Sequence, residues 1–243
     1  MSNQVHPELP AQAMVLAAGY GKRLGAVTRA RPKPLVSVAG RPVIDRVLDR
    51  LSAAGVTRCV VNLHYRGEML REHLERRETP EIEFSHEEEL LDTGGGVLNA
   101  LERFGGEPFL SVNSDTIWRD AFGDSFRRLG RAWDPERMDV LLLMQSTVTA
   151  IGYRGLGDFT MAPSGRLTRR RPGRLAPFLY AGVQILHPRI FEGLEVRPFS
   201  LNLIFDRAAE AGRLYGMRHE GDWIDIGTPD GLERAESLLR RTG

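Results

Sequence analysis

The residues with the plainest chemistry lie near the start of the chain. An apolar run, Ala13-Met14-Val15-Leu16-Ala17-Ala18, leads into Gly19-Tyr20-Gly21-Lys22-Arg23-Leu24, and Arg31-Pro32-Lys33-Pro34 follows shortly after. Glycines after a strand let the backbone approach a phosphate, and neighbouring Lys and Arg supply charge to hold it. From Leu9 to Ile44 there is no Asp or Glu, while Lys22, Arg23, Arg29, Arg31, Lys33 and Arg41 are positive. At the chain's average rate about five acidic residues would be expected there. Such a segment suits a compact polyanion; the competing reading is a solvated basic surface loop. Two familiar phosphate motifs fail. A P-loop needs glycine where Leu16 stands and Ser or Thr where Arg23 stands. A dinucleotide fingerprint needs a third glycine at Leu24 and a helix at once, but Arg31-Pro32-Lys33-Pro34 blocks one and the first clear helical pattern begins near Pro42.

Two carboxylates stand out further along. Asp115 follows the apolar Phe109–Val112 run, so it falls at a strand's C-terminal end, where ligands of open parallel sheets bind. By itself an Asp there could equally cap a helix or form a turn. Asp225 stands inside the strand-like Trp223-Ile224-Asp225-Ile226, where an unpaired buried carboxylate would be costly. Other reactive types lack context. Ser37 and Ser114 have no Gly-x-Ser-x-Gly setting, and His64, His73, His86 and His187 show no close metal-ligand spacing. Arg169-Arg170-Arg171, with Arg166 and Arg174, has no interleaved aromatic residues for base stacking and reads as a solvated hairpin.

Positioning these groups falls to a regular alternation. Met14–Ala17 reads as a buried strand, residues 43–51 as an amphipathic helix stopped by Gly55, and Cys59–Leu63 as the next strand. A helix around Met69–Leu74, a strand at Ile82–Ser85, a helix at Val97–Phe104 and the Phe109–Val112 strand continue the pattern. Crossovers of this length predict an α/β fold with a mainly parallel sheet covered on both faces. The second half is less regular: strands at Val140–Met144 and Tyr180–Leu186, a Gly, Pro and Arg-rich hairpin or loop over 155–174, and a helix near 201–209. A last helix is signalled by Thr228 and Pro229. With 243 residues, 33 Lys+Arg against 32 Asp+Glu and 42% hydrophobic residues, the chain is expected to form one domain. Its regular half would span about 12–115, and its less regular half with the C-terminal helix about 116–243. The balanced charge argues against a nucleic-acid partner. The apolar runs, five or so residues long, are too short for a membrane span, and the Ala13–Ala18 run lacks the basic flank of a signal peptide. Lone Cys59 suits a core position and a reducing, cytoplasmic setting.

Leu16-Ala17-Ala18-Gly19-Tyr20-Gly21-Lys22-Arg23-Leu24, followed by Pro32-Lys33-Pro34-Leu35, resembles the signature of the sugar-1-phosphate nucleotidylyltransferases. Asp92-Thr93-Gly94-Gly95-Gly96, Val112-Asn113-Ser114-Asp115, Gly157-Asp158-Phe159, Ala181-Gly182-Val183 and Trp223–Thr228 match later segments in order. The resemblance implies a Rossmann-like, mostly parallel mixed sheet with helices on both faces, of the nucleotide-diphospho-sugar transferase type. It implies that Leu16, Ala17, Ala18, Gly19, Gly21, Lys22, Arg23 and Lys33 hold the nucleotide, with Glu87, Gly94 and Gly95 beside the base. Glu87-Glu88-Glu89 is otherwise read as solvated loop, and the glycines as a loop before a helix. Asn113, Asp158 and Gly182 would meet the sugar. Arg23, Lys33 and Asp115 would be catalytic, and Asp115 and Asp225 would hold Mg²⁺. Compact length and the triple glycine are most similar to the branch that takes UTP and N-acetylmuramic acid 1-phosphate. Alternatives are a branch taking GTP with mannose 1-phosphate or UTP with glucose 1-phosphate, or a catalytically silent nucleotide sensor. The expected assembly is a monomer or small homo-oligomer.

Overall fold

The computed structural model describes residues 9–240. Its first half runs β1 (Gln12–Leu16), α1 (Val27–Ala30), a ribbon of β2 (Ser37–Val38) and β3 (Arg41–Pro42), then α2 (Val43–Ala54) and β4 (Arg58–Leu63). It continues through α3 (Gly67–Leu74), β5 (Glu81–His86), α4 (Asp92–Ala100) and β6 (Phe109–Asn113). The second half adds β7 (Ile117–Asp120), α5 (Ser125–Ala132), β8 (Val140–Ser146), β9 (Phe159–Met161), β10 (Leu167–Arg169) and β11 (Phe178–Leu186). Then come α6 (Asn202–Glu210), β12 (Leu214–Arg218), β13 (Gly221–Ile224) and α7 (Pro229–Arg240).

Parallel neighbours cannot be joined by a tight turn, so each connection carries a helix across the sheet. The order is β10-β9-β11-β6-β1-β4-β5, with β8 beside β11 and β12 beside β8. β1, β4, β5 and β6 pair in parallel, and β12 pairs in parallel with β8. β11 runs against both β6 and β8, which therefore share one direction. The result is the expected mixed α/β fold around a mostly parallel sheet. Ala13 and Val15 point to the face covered by α2, α3 and α5, where Ile44, Val47, Leu48, Leu70 and Phe126 are buried. Met14 and Val60 point to the other face, under Val97 of α4 and Ile204 and Phe205 of α6. Strand alternation thus places successive residues of β1 in two cores. Helix α2 stops where Gly55 takes φ 103° and donates its N–H to Leu51 and Ser52, a left-handed cap that favours glycine. Cys59 is a core group, its thiol pushed up to about 12 by burial.

Several local features differ from expectation. The stretch between β1 and β2 is not one open loop: short helical turns form at Lys22–Leu24, Val27–Ala30 and Lys33–Leu35. Pro32 ends the second turn and Pro34 fits the first turn of the third, so the prolines punctuate helices instead of abolishing them. Asp225 lies one residue beyond β13, not inside it. β7, α5 and β12 carried no recognised signal, although Asp124 caps α5 by accepting from Arg127 N at 2.9 Å. The Arg-rich segment does form a hairpin, β9–β10. Among the described residues no helix is long and apolar enough to cross a membrane.

Asp120, the last residue of β7, ties three of these elements together. Burial favours its neutral form, but His219 Nε2 at 3.3 Å, Ser125 and Arg50 outweigh it and hold the carboxyl below its ordinary range. A depressed folded value contributes stability above the unfolded pKa of about 4, and that stability is lost as pH falls through the folded value. Asp120→Asn should therefore cost about 2–3 kcal/mol at pH 7. In urea titrations the gap to the wild type should narrow as pH drops from 5 to 2; a gap independent of pH would remove the carboxylate from this role.

Candidate active site

β1 is the point where the chain order reverses: β4 continues to one side and β6 lies on the other. Open α/β sheets leave a crevice at the carboxyl ends of such strands. Leu16 and Asn113 are register partners at that end. Ser114 fastens them, its N–H and hydroxyl donating to Leu16 O at 3.1 and 2.6 Å. The glycine loop and Asp115 therefore leave the sheet side by side.

The loop folds back on itself. Gly21 takes φ 64°, and a Cβ there would stand 2.9 Å from Thr28 Cγ2 and 3.0 Å from Lys33 Cβ. Thr28 Oγ1 donates to Gly21 O at 3.1 Å. This closure seats Lys33, whose Nζ forms an ion pair with Asp115 Oδ2. Arg23 Nη1 stands 3.8 Å from Asp225 Oδ2, and Gly227 N donates to Asp225 Oδ1 at 2.8 Å. Outside, Tyr65 OH donates to Thr28 O at 3.1 Å and Arg66 Nη2 to Arg29 O at 2.5 Å, tying the loop to the turn after β4.

Two cavities meet on this framework. The first, about 360 Å³, is walled by Leu16, Ala17, Ala18, Gly19, Gly21 and Lys22, with Leu90, Asp92 and Thr93 among its other residues. The second, about 270 Å³, is bordered by Tyr153, Asp158, Tyr180, Gly182, Trp223 and Asp225. Arg23, Lys33, Asn113 and Asp115 belong to both. The two cavities share cations and a carboxylate where they meet.

On the second side, Asp158 is fixed by Tyr180 N, which donates to its Oδ2 at 2.9 Å. Gly182 takes φ 84°, and a Cβ there would lie 2.5 Å from Thr116 Oγ1 and 3.2 Å from Asn113 Nδ2. Trp223 Nε1 donates to Ala181 O at 3.0 Å and stands as a wall. Among the described residues no three His, Cys, Asp or Glu side chains form a metal cluster. Asp115 and Asp225, however, border one cavity, and two carboxylates with substrate oxygens and water form a donor set that suits Mg²⁺.

Two expectations need correction. Glu87 is not solvated loop like its exposed neighbours Glu88 and Glu89; it is 2% exposed. Its Oε1 accepts from Asn62 Nδ2 at 2.7 Å and its Oε2 from Leu91 N at 3.0 Å, while Asn62 Oδ1 accepts from Ala17 N at 2.6 Å. Burial raises the Glu87 pKa, opposed by these hydrogen bonds. Glu87 therefore holds the cavity wall from behind instead of bordering it. Gly94 and Gly95 likewise do not line the first cavity. Their missing side chains make room for protein: a Cβ would lie 2.4 Å from the Phe199 ring at Gly94 and 2.2 Å from Arg197 O at Gly95. Both N–H groups donate to Phe199 O. Asn62, Leu90, Asp92 and Thr93 do reach the first cavity, and Tyr153, Tyr180 and Trp223 the second, although residue type and spacing give none of them a signal of its own.

Glu87→Ala would leave Asn62 and the Leu91 N–H without their acceptor. A loss of about 2–4 kcal/mol is expected in urea titration. Glu87→Gln, which keeps one acceptor, should lose less.

A family model described as Nucleotidyl transferase matches residues 12–151. The chain is 41% identical to the N-acetylmuramate alpha-1-phosphate uridylyltransferase of Caulobacter vibrioides, over 96% of this chain and 98% of that one. It is 32% identical to the protein of the same name from Neisseria meningitidis serogroup B, over 93% and 97%. The crystal structure of HddC from Yersinia pseudotuberculosis superposes with a TM-score of 0.76 at 24% identity, covering 94% of this chain and 99% of that one, and shows the same fold. By the family model and the near full-length sequence match, the chain belongs to the nucleotidyl transferase family.

Proposed function

We propose that the protein joins UTP and N-acetylmuramic acid 1-phosphate, giving the UDP-sugar and pyrophosphate. The observation that carries the reaction is the meeting of two cavities at Arg23, Lys33 and Asp115; the near full-length likeness to the Caulobacter vibrioides enzyme supports the substrate pair. A phosphate oxygen of the sugar 1-phosphate attacks the α-phosphorus of UTP. A new P–O bond forms, the bond from the α-phosphorus to the bridging oxygen breaks, and pyrophosphate leaves with that electron pair. The attacking oxygen is already ionised at neutral pH, so no general base is required. What the site must do is bring two anions together and stabilise the charge on the leaving group.

Arg23 and the glycine-loop backbone hold the triphosphate, and Lys33 lies against the α-phosphate as a compact charge. Both cations are paired with carboxylates in this structure, so the substrate's oxygens replace carboxylate oxygens at each. Asp115 and Asp225 would hold Mg²⁺, which supplies positive charge to the phosphates. Asn113, Asp158 and Gly182 shape the sugar side, where Asp158 keeps its Oδ1 for a hydroxyl or amide donor.

Pyrophosphate release measured over UTP, GTP, ATP and dTTP against the 1-phosphates of N-acetylmuramic acid, mannose and glucose should be fastest with the first of each. Turnover confined to another pair would replace the proposed substrates, and none with any pair would favour a sensor. Asp115→Ala and Asp225→Ala should each lower kcat by at least about a hundredfold while circular dichroism shows each variant still folded. Near-normal turnover in either variant would remove that residue from the site.

A further inference from the structure

The arginines around the β9–β10 hairpin border neither cavity of the site. Between residues 147 and 178 the chain carries six arginines and one acidic residue, Asp158, whose carboxylate is held by Tyr180 N beside the second cavity. Arg170 knits two loops of this stretch together: its N–H donates to Asp158 O at 2.8 Å and its Nε to Gly157 O at 2.9 Å. Ala176 N donates to Leu156 O at 2.8 Å, and Thr147 N to Pro177 O at 2.9 Å. Residues 147–148, 156–157 and 170–177 therefore share one corner of the molecule.

Val148, Leu175 and Leu156 are 90%, 77% and 48% exposed on that corner. Arg174 adjoins Leu175, Arg171 closes the same turn by accepting from Arg174 N at 3.1 Å, and Arg154 lies two residues before Leu156. All three arginines are exposed, and among the described residues their side chains make no hydrogen bond or ion pair. Arg169, by contrast, is paired with Asp206. Aliphatic side chains thus stand out into water beside cations that have no counter-charge. A second copy is a poor occupant, because about a two-fold axis the arginines of one copy would face those of the other. A folded partner would need pockets shaped to the projecting side chains. A lipid interface takes aliphatic tips as they stand, and its phosphates meet the arginines.

We infer that this corner docks on the surface of an anionic phospholipid bilayer, Val148, Leu156 and Leu175 entering the acyl boundary and Arg154, Arg171 and Arg174 meeting the headgroups. The protein then lies on a membrane and does not span one. Tyr153 and Asp158 of the same loop border the second cavity, so the bilayer lies next to it. The full-length protein is sedimented with sucrose-loaded vesicles of phosphatidylcholine alone, or of equal parts phosphatidylcholine and phosphatidylglycerol, at low and at physiological salt. Three variants accompany the wild type. One joins Val148→Ser to Leu175→Ser, and one joins Arg154→Gln, Arg171→Gln and Arg174→Gln. The third, Arg76→Gln with Arg127→Gln and Arg131→Gln, removes equal charge elsewhere. All these side chains are exposed, and melting temperatures check that each variant folds. The wild type should bind anionic vesicles at least about tenfold more strongly than neutral ones, and less strongly as salt rises. The serine variant should lose about tenfold and the arginine variant about tenfold or more, against less than about threefold for the control. No binding, equal binding to both vesicles, a serine variant that binds like the wild type, or a control that weakens as much as the arginine variant overturns the inference. So does a dimer in light scattering that the serine variant dissolves, which would assign the corner to a second copy. No substrate enters this measurement, so its outcome is independent of whether UTP and N-acetylmuramic acid 1-phosphate are the substrates.

Discussion

Charge compensation at the junction of the two cavities is the constraint that the rest of the structure serves. Lys33 and Asp115 lie close together, with side chains 13% and 31% exposed, and Arg23 faces Asp225 nearby. Partly desolvated charges are tolerable only with partners, because an uncompensated one loses its hydration and gains nothing. The pairs Lys33–Asp115 and Arg23–Asp225 meet that condition, carboxylate against cation. Two phosphate substrates and a divalent ion would meet it in a different pairing of the same charges. The difference in exposure also divides the labour: Lys33 is fixed and shielded, while Arg23, 68% exposed, is reached and screened by solvent.

Holding four charged side chains from distant parts of the chain at one point is a task for the sheet. β1 and β6 end in register, Ser114 fastens their ends, and the two loops that leave them carry Lys33 and Asp115. Asp225 arrives from the other end of the chain through β13, which pairs with β7 directly after Asp115. Gly227 leaves no room for a side chain between the two charges: a Cβ there would stand 2.5 Å from Arg23 Nη2 and 2.8 Å from Asp225 Oδ1. Behind the wall, the chain of hydrogen bonds Ala17–Asn62–Glu87–Leu91 links the ends of β1, β4 and β5 to the start of α4.

The parts of this arrangement legible in sequence are those whose residue types have one physical use. The acid-free segment with its glycines pointed to the loop that walls the first cavity. The apolar run before Asp115 placed that carboxylate at a strand end, and the apolar face of α2 with Gly55 marked a helix and its stop. What could not be read was set by contacts far apart in sequence. Glu87 looks like its neighbours Glu88 and Glu89, and only its pairing with Asn62, 25 positions away, takes it inside. Gly94 and Gly95 looked like room for a base because glycine signals close approach without saying what approaches; it is the 197–199 segment. β7 is four residues long and β12 is interrupted by Gly216, too little pattern for periodicity to register.

The seating of Phe199 against the first turn of α4 has a consequence for how the molecule's tasks are divided. A helix start is ordinarily a ready anchor for anions, but here the amides of Gly94 and Gly95 already serve the Phe199 carbonyl. On the reading proposed above, phosphate would therefore rest on the strand ends and the glycine loop, while the first turn of α4 is committed to the chain that follows β11, Thr93 Oγ1 also accepting from Leu201 N at 2.9 Å. The glycine loop and the start of α4 thus stand on separate supports, so a change in how Phe199 seats on α4 leaves the register of β1 and β6 as it is.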